Sequence, residues 1–224
     1  MGKRMDEIVE PKQGSATADN NRFLRQWWEV DINRIKFNAT SISDSVKSGK
    51  KWFPYNKGGS FRRWYGNYDY GANWENDGYE IRHFVDDKGK QRSVVRNPKF
   101  YFKEAITWPL ITSGGLSARY REFGSIHDVS GMSAFSVVQT NIYYTLGLVN
   151  TPKFLASNLQ LGNSILKILN PTINSQVGDF QNIPVIVEAE NTRIIELVKA
   201  NINITKEDWN QQDDRWEFKK PLLI

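Results

Sequence analysis

The sequence predicts an α+β fold, in which a twisted, mostly antiparallel β region is followed by a helical and loop subregion. Between Trp52 and about Val129, short runs of aromatic and β-branched residues alternate with glycine-containing turns, a pattern typical of antiparallel strands. After Ser136, apolar residues recur at helical spacing and are interrupted by Pro152 and Gly162, which predicts two or three helices. The 224 residues are enough to bury a substantial core.

Residues 1–29 predict a loop and a short helix that lead into the domain. The stretch PKQGSATADNNRF (11–23) ends in a helix-compatible run. Asp19 or Asn20 is available as the N-cap, because a short polar side chain can accept a hydrogen bond from the first free backbone amides of a helix.

Residues 30–135 predict the β-rich region. It begins with one short helix, in SISDSVKSGKKW (41–52), which has a serine cap and stops at Gly49. The turns GGS, DDKGK and SGG separate the runs that follow. These runs predict strands at WFPYNK (52–57), FRRWYGN (61–67), YEIRHFVD (79–86), SVVRNPKFYF (93–102), AITWPLIT (105–112), LSARYREF (116–123) and SIHDVS (125–130).

Residues 136–224 predict a helical and loop region that completes the same domain. The stretch NPTINSQVGDFQNIPVIV (170–187) is typical of loop and strand. The stretch NTRIIELVKANI (191–202) is amphipathic at helical spacing and starts with a possible Asn or Thr cap. A second long helix is therefore expected near the end of the chain.

The positive charge is concentrated in one region. The formal net charge is +5, yet the span from Lys36 to Lys103 holds 14 Lys or Arg against 7 Asp or Glu. The rest of the chain holds 16 against 18. A local excess of cations favours a polyanionic partner more strongly than the net charge does.

Several classes of site are excluded by composition. The sequence has no cysteine, which rules out disulfides, thiol catalysis and cysteine-based zinc sites, and it has only two histidines. The N-terminus lacks an apolar signal core, and no run approaches the roughly 18 apolar residues that a membrane span needs. We therefore expect a cytoplasmic protein with no membrane partner and no bound metal.

The chain offers little catalytic chemistry. Neither a dinucleotide-binding G-x-G-x-x-G frame nor a P-loop occurs. The stretch NPKF (97–100) resembles the Asn-Pro-Pro-Tyr motif of adenine methyltransferases only in part, and a turn entering a strand explains it. The acidic and basic residues of DDKGK (86–90) surround one glycine, which favours a solvated turn over a nuclease site. His127 beside Asp128 has no recognisable nucleophile and is expected to be structural.

The stretch KWFPYNKGGSFRRWYGN (51–67) combines cations, aromatic side chains and glycines in a way that suits nucleic acid. Cations neutralise phosphates, planar side chains pack on sugars and bases, and a Gly-Gly backbone can approach an anion closely. In the alternative interpretation, the aromatic residues form the core of a hairpin and the cations only its solvated face. Both interpretations can be true of one hairpin, because successive side chains of a strand point to opposite faces. The predicted contacts are Lys50, Lys51, Lys57, Arg62 and Arg63 for phosphates, with Tyr65 and Asn67 as hydrogen-bonding groups.

Several blocks of the sequence resemble one known family. They include KWFPYNKGGSFRRWYGN and then NWENDGYEIR (73–82), FKEAITWPLITSGGLSARY (102–120), LNPTINSQVGDFQNIPV (169–185) and ITKEDWNQQDDRWEF (204–218). Together they resemble the C-terminal target-recognition region of the adenine-specific DNA methyltransferases of type 1 BREX phage-defence systems. The segment QGSATADNNRF (13–23) is similar to the family's approach to that domain, which is usually written T-G-D-N, but Ala18 stands where the glycine would be.

The resemblance implies a role in DNA recognition. In such enzymes an N-terminal Rossmann-like domain binds S-adenosylmethionine and flips the adenine, and a later TaqI-like domain reads the sequence. The likeness begins after the catalytic motifs, so it implies a specificity fragment that binds no cofactor and is not itself an enzyme, while S-adenosylmethionine belongs to the parent methyltransferase. The implied partners are double-stranded DNA, the methyltransferase catalytic domain in cis and other defence-complex proteins.

The resemblance also separates phosphate contacts from base readers. A stretch shared by enzymes with different target sequences cannot itself select the sequence. Base readers are therefore expected on less stereotyped segments, since Arg pairs with guanine and Gln with adenine. The candidates are Gln91, Arg92, Arg96, Arg119 and Arg121. Two other functions stay open: a protein-interaction module that docks a defence-complex partner or a phage inhibitor, and a nuclease or methyltransferase in its own right.

Overall fold

The computed structural model describes residues 3–111, 116–137, 142–150, 174–185, 192–211 and 215–218, together with residues 168 and 172. It has the α+β fold that the sequence predicts. The strands are β1 (Lys3–Arg4), β2 (Val9–Lys12), β3 (Leu24–Gln26), β4 (Trp52–Asn56), β5 (Tyr70–Asn73), β6 (Ala105–Pro109), β7 (Arg119–Arg121), β8 (Ile126–His127), β9 (Gly131–Ser136) and β10 (Pro184–Val185). The α-helices are α1 (Asn20–Phe23), α2 (Ile42–Lys47), α3 (Glu75–Arg82), α4 (Ile142–Asn150), α5 (Val177–Gln181) and α6 (Thr192–Asn210).

Two four-stranded sheets organise the fold. The first has the strand order β2-β9-β6-β7 and is antiparallel throughout. The second has the order β3-β5-β4-β8, in which only the pair β4 and β8 is parallel. Strands β1 and β10 form a small antiparallel pair. The prediction of mostly antiparallel strands is therefore confirmed.

The larger hydrophobic core lies on one face of the first sheet, where α4, α5 and α6 cover it. Ile106 and Trp108 alternate along β6 with Thr107 and are fully buried, as the two-residue period of a strand requires. The indole of Trp108 stacks on Phe180 of α5 with ring centroids 4.0 Å apart. Its Nε1 donates a hydrogen bond to the carbonyl of Ser175 at 3.0 Å, so the polar atom of this buried ring is satisfied.

A second hydrophobic core belongs to the second sheet, and a polar layer joins the two sheets. The second core includes Phe53, Trp74 and Phe102, all buried. Between the sheets, the side-chain amide of Asn56 in β4 donates to the hydroxyl of Thr107 in β6. Buried polar groups are stable only when they are hydrogen-bonded, so this contact helps to fix the relative position of the two sheets.

Local capping signals are confirmed where the sequence contains them. The Asp19 carboxylate accepts a hydrogen bond from the Arg22 amide at the start of α1, and the Ser41 hydroxyl accepts one from the Asp44 amide at the start of α2. Gly49, just after α2, has φ +60°, a left-handed conformation that glycine adopts easily. The predicted amphipathic helix near the end of the chain is α6.

Some predicted strands are wrong. The run 61–67 is irregular, because β4 pairs with β5 and the Gly58-Gly59 pair makes no hairpin turn. The first half of the run 79–86 is the end of helix α3, which begins in a left-handed turn at Asn76–Gly78. The run 93–102 contributes one bridge and a short 3-10 helix, Pro98–Phe100. Strand β2 was not predicted. The predicted turn at 113–115 and the helices expected between 151 and 167 lie outside the described residues.

Replacing Ala18 with glycine is expected to stabilise the protein by about 0.5–1 kcal/mol. Ala18 is exposed and has φ +61°, a conformation that costs an L-residue about 1–2 kcal/mol, of which the greater chain entropy of unfolded glycine cancels part. Urea denaturation would measure the difference. The matched control is Ala16→Gly, at a position with negative φ, which we expect to destabilise; stabilisation by both changes, or by neither, would contradict the argument.

Candidate nucleic-acid interface

The segment 57–69 connects β4 to β5 and is held in shape from the interior. The Arg119 guanidinium donates to the carbonyls of Gly58, at 2.5 Å, and of Arg62, at 3.4 Å. The Arg121 guanidinium donates to the carbonyl of Asn67 at 3.4 Å. The Asn67 side chain in turn donates to the carbonyls of Gly58 and Ser60. Buried side chains thus replace the ladder of hydrogen bonds that a hairpin would supply.

Arg119 and Arg121 therefore need a correction. The sequence placed them among candidate base readers, but they are 0% and 1% exposed. Burial lowers the pKa of Arg119 to about 9, with a further lowering by the nearby charge of Arg121. Burial also lowers the pKa of Arg121, whose guanidinium lies 3.9 Å from the centre of the Tyr68 ring. Their donors face the protein interior, and a group that reads bases must reach the solvent.

Tyr65 and Asn67 are also buried, contrary to their expected place on the surface. The Tyr65 hydroxyl donates to Glu122 at 3.2 Å, and its ring stacks on Tyr68 with centroids 5.0 Å apart. Desolvation raises the pKa of Tyr65 well above its ordinary value. Both side chains shape the segment 57–69 and do not present it to a ligand.

The five cations expected to bind phosphates are partly exposed, but they do not form one patch. Lys57 follows β4, whereas Lys50 and Lys51 precede it, so about 17 Å of extended strand separates them. The Lys57 ammonium lies 3.5 Å from the buried Asp128 carboxylate. The Arg62 guanidinium lies over Trp209 at 4.7 Å and 3.6 Å from Asp208.

The remaining members of this group also contact the protein. The Arg63 guanidinium lies 5.6 Å from the centre of the Phe61 ring. The Lys50 ammonium donates to the carbonyl of Asn33, and the Lys51 ammonium lies 5.9 Å from the Trp52 ring. The structure thus brings the aromatic and cationic side chains of this stretch together mainly with each other and with the rest of the fold.

The predicted DDKGK turn is a well-ordered hairpin whose tip carries exposed polar side chains. Val85 and Gln91 form an antiparallel bridge, and the Asp86 amide donates to the carbonyl of Lys90 at 2.9 Å. The Asp86 carboxylate accepts from the amides of Lys88 and Lys90, at 2.9 Å each. The turn is therefore fixed by backbone groups and one aspartate.

The candidate base readers Gln91 and Arg92 are exposed on this hairpin, and Arg96 is half-buried beyond it. The Arg92 guanidinium lies 5.0 Å from the centre of the Phe84 ring, and Arg22 lies at the same distance from that ring. Within the described residues, no carboxylate is in ion-pair contact with Arg92. This hairpin, residues 84–92, is the part of the predicted interface whose candidate base readers are exposed, and the Gln91 side-chain amide donates to the Ser93 hydroxyl at 2.7 Å.

Three lysines that the sequence analysis did not select surround one phenylalanine. The ammonium groups of Lys12, Lys99 and Lys103 lie 5.4, 5.1 and 5.4 Å from the centre of the Phe100 ring. Lys99 and Lys103 bracket the run Phe-Tyr-Phe, which is a visible signal. Lys12 is distant in sequence and joins them only through the fold.

His127 and Asp128, the pair considered as a possible proton carrier and its partner, lie in the interior. His127 is buried, and burial lowers its pKa to about 3, with a further lowering by Arg121. Its ring packs beside Tyr101 and Phe135, and its neighbour Asp128 accepts a hydrogen bond from the Tyr55 hydroxyl at 2.8 Å. Across the described part of the chain no group of three His, Asp or Glu side chains could hold a metal ion, and no helix is long and apolar enough to cross a membrane.

Two curated proteins are similar to this chain over nearly its whole length. It is 36% identical over 222 residues to the adenine-specific methyltransferase PglX of Lacticaseibacillus casei (strain Zhang), a match that covers 99% of this chain and 18% of that protein. It is 37% identical over 204 residues to the adenine-specific methyltransferase BrxX of Escherichia coli O9:H4 (strain HS), a match that covers 90% of this chain and 15% of that protein. The chain thus spans less than a fifth of the length of these relatives. No protein-family model matches it.

Proposed function

Because the chain is homologous over 90–99% of its length to a region of the PglX-type adenine-specific methyltransferases, we propose that it is their specificity region, which binds double-stranded DNA and recognises its sequence. The observation that carries this proposal is the hairpin 84–92, which presents Gln91 and Arg92 to solvent. Methyl transfer, S-adenosylmethionine and the catalytic domain belong to the rest of such a protein. The biological setting is BREX-type phage defence.

The chemistry of the hairpin suits the major groove of DNA. That groove is about 12 Å wide, admits a two-stranded β-ribbon and shows a different pattern of donors and acceptors for each base pair. An exposed arginine can donate two hydrogen bonds to guanine, and a glutamine can pair with adenine. The hairpin 84–92 carries both residue types on a backbone that its own hydrogen bonds fix. Consecutive side chains of a strand point to opposite faces, and the Gln91 side-chain amide donates to the Ser93 hydroxyl at 2.7 Å, so we assign the base contact to Arg92.

Selection of duplexes from a random library, followed by binding measurements with variants, tests the proposal. We expect the chain to enrich a consensus sequence, and Arg92→Ala to lower the preference for that consensus over a scrambled duplex by about 5- to 150-fold, as the loss of one bidentate base contact predicts. Lys88→Ala removes a charge from the same hairpin without removing a predicted base reader, so it should weaken both duplexes alike. Failure to enrich any consensus, or an unchanged preference in Arg92→Ala, would contradict sequence recognition by this hairpin.

Exposed aromatic side chains favour a second candidate function, the docking of a protein partner. Trp28, Phe61 and Phe123 are 46%, 52% and 56% exposed. A partner that covers such residues would stay bound at high salt, whereas DNA bound through phosphates dissociates. Binding to a defence-complex protein or phage inhibitor that persists in high salt and is lost in Phe61→Ala would favour this alternative.

A further inference from the structure

Two segments far apart in sequence run beside each other along one edge of the fold. The Ala16 amide donates to the carbonyl of Val94 at 2.9 Å, and the Val94 amide donates back to Ala16 at 2.8 Å. The Asn97 side chain donates to the carbonyl of Gln13 at 2.9 Å. The pairing is antiparallel, so residue 12 lies beside residues 99–103 and residue 22 lies beside the hairpin 84–92.

This pairing aligns basic side chains from both segments into one surface, which we call the basic ridge. At one end, Lys12, Lys99 and Lys103 surround Phe100. At the other end, two guanidinium groups flank Phe84. Arg96 lies between the two ends. The members of the basic ridge are Lys12, Arg22, Arg92, Arg96, Lys99 and Lys103.

The cluster around Phe100 has a net positive charge, with three lysines against the two neighbouring carboxylates of Glu10 and Glu104. Each ammonium lies within 5.4 Å of the ring centre, so any two of them lie within twice that distance of each other. Glu10 pairs with Lys12 at 2.7 Å, and Glu104 accepts the hydroxyl of Tyr120. Lys99 and Lys103 are exposed and form no ion pair with any described carboxylate.

Repulsion between the like charges of such a cluster lowers the stability of the fold, and a bound polyanion would relieve that repulsion. The span also fits DNA: the seven steps from Arg92 to Lys99 cover at most about 25 Å, and each strand of a duplex carries one phosphate per about 3.4 Å of helix axis. A DNA backbone held at the cluster around Phe100 would therefore lie within this distance of Arg92, the predicted base reader.

From this arrangement we propose that Lys12, Lys99 and Lys103 form a phosphate-binding anchor for the DNA backbone, separate from the hairpin that reads the sequence. The inference rests on the proposed function, because it assumes that DNA lies against the hairpin 84–92. The anchor adds affinity for any duplex and leaves the choice of sequence to the hairpin.

The test compares the full chain with the triple variant Lys12→Gln, Lys99→Gln, Lys103→Gln in salt-titrated binding to a consensus duplex and a scrambled duplex. Each lost phosphate contact lowers the slope of log affinity against log salt by about 0.9, so three lower it by about 2.7. A fourfold rise in salt should then weaken the parent about 40-fold more than the variant. The ratio of consensus to scrambled affinity should not change.

The matched control is Lys3→Gln, Arg193→Gln, Lys199→Gln, which removes the same charge from exposed positions outside the ridge and should lower the slope far less. If the ridge variant does not fold, Lys99→Gln and Lys103→Gln alone, both at exposed positions, should each lower the slope by about 0.9.

The outcomes separate the two proposals. Binding by the parent with an unchanged slope in the ridge variant would overturn the anchor and leave the proposed function standing. No binding of any duplex by the parent, even at low salt, would overturn both. If the ridge variant loses as much affinity for polyglutamate as it loses for DNA, the ridge binds acidic polymers in general, and the assignment to DNA is overturned.

Discussion

Replacing Gly78 with alanine is expected to lower the free energy of unfolding by about 3–5 kcal/mol, because the left-handed backbone and the steric overlap both oppose a side chain there. Gly78 has φ +69°, and a Cβ atom would lie 2.6, 2.7 and 2.9 Å from three ring carbons of Trp74. Trp74 is only 1% exposed and cannot move aside without disturbing the second core. Urea denaturation at neutral pH would measure the change.

Gly89 provides the matched control for this prediction. It has φ +76° at the tip of the hairpin 84–92, and a Cβ atom there would meet nothing within 4 Å. Gly89→Ala should therefore cost only the backbone strain, offset in part by the lower chain entropy of unfolded alanine, about 0.5–1 kcal/mol in all. The difference between the two variants isolates the contact with Trp74. Equal losses of stability would mean that this contact contributes nothing.

Acidification is expected to destabilise the protein through His127, by about 2 kcal/mol between pH 7 and pH 5 and about 3 kcal/mol by pH 4. The pKa of His127 is about 3 in the folded chain, against 6.5 for an unburied histidine, mainly because burial disfavours the charged ring. Between these values the unfolded chain binds the additional proton. The contribution of the neutral His127 to the free energy of unfolding is therefore fully present above pH 6.5, and it is lost as the pH drops toward 3.

The variant His127→Phe separates this effect from that of the carboxylates that titrate in the same range. It keeps a ring beside Tyr101 and Phe135, whose centroids lie 5.2 and 5.4 Å from that of His127, and it removes the ionisable nitrogens. The difference in unfolding free energy between parent and variant should change by about 2 kcal/mol between pH 7 and pH 5, and by about 3 kcal/mol by pH 4. Parallel curves for parent and variant would contradict a neutral buried histidine.

The parts of the fold that were predicted correctly depend on short-range chemistry. Asp19 and Ser41 cap their helices because each side chain meets an amide three residues ahead, and Gly49 follows α2 because its conformation suits the end of a helix. The hairpin tip at residues 86–90 belongs to the same class, since Asp86 accepts amides two and four residues away. Such contacts can be read from a single stretch of sequence.

The errors occur where partners are distant in sequence. Residues 61–67 have the composition of a strand, yet their carbonyls bond to Arg119 and Arg121, more than 50 residues later. Nothing local distinguishes a buried arginine of this kind from an exposed base reader. Residues 79–82 follow a turn in which Asn76, Asp77 and Gly78 take left-handed conformations, and the turn leads into a helix and not into a strand. Such conformations are uncommon for Asn and Asp.

In the candidate site, as in the fold, features that depend on one stretch of sequence could be predicted and contacts between distant segments could not. The exposure of Gln91 and Arg92 followed from the sequence because the hairpin that carries them is local, and their role as base readers stays a prediction. The anchor proposed around Phe100 was not predicted, because Lys12 reaches that ring only through the pairing of residues 13–16 with 94–97. Lys57 and Arg62 were correctly placed beside aromatic residues and glycines, but their ion pairs come from Asp128 and Asp208.

The hairpin 84–92 separates the groups that build it from the groups that it displays. Asp86, Gly89 and the backbone fix its shape, whereas the exposed side chains at 88, 90 and 92 take no part in those hydrogen bonds. Substitutions at those outward positions can accumulate during evolution without a loss of stability that would need a second, compensating change. A lineage could therefore diversify the surface it presents to a ligand one residue at a time while every intermediate remains folded.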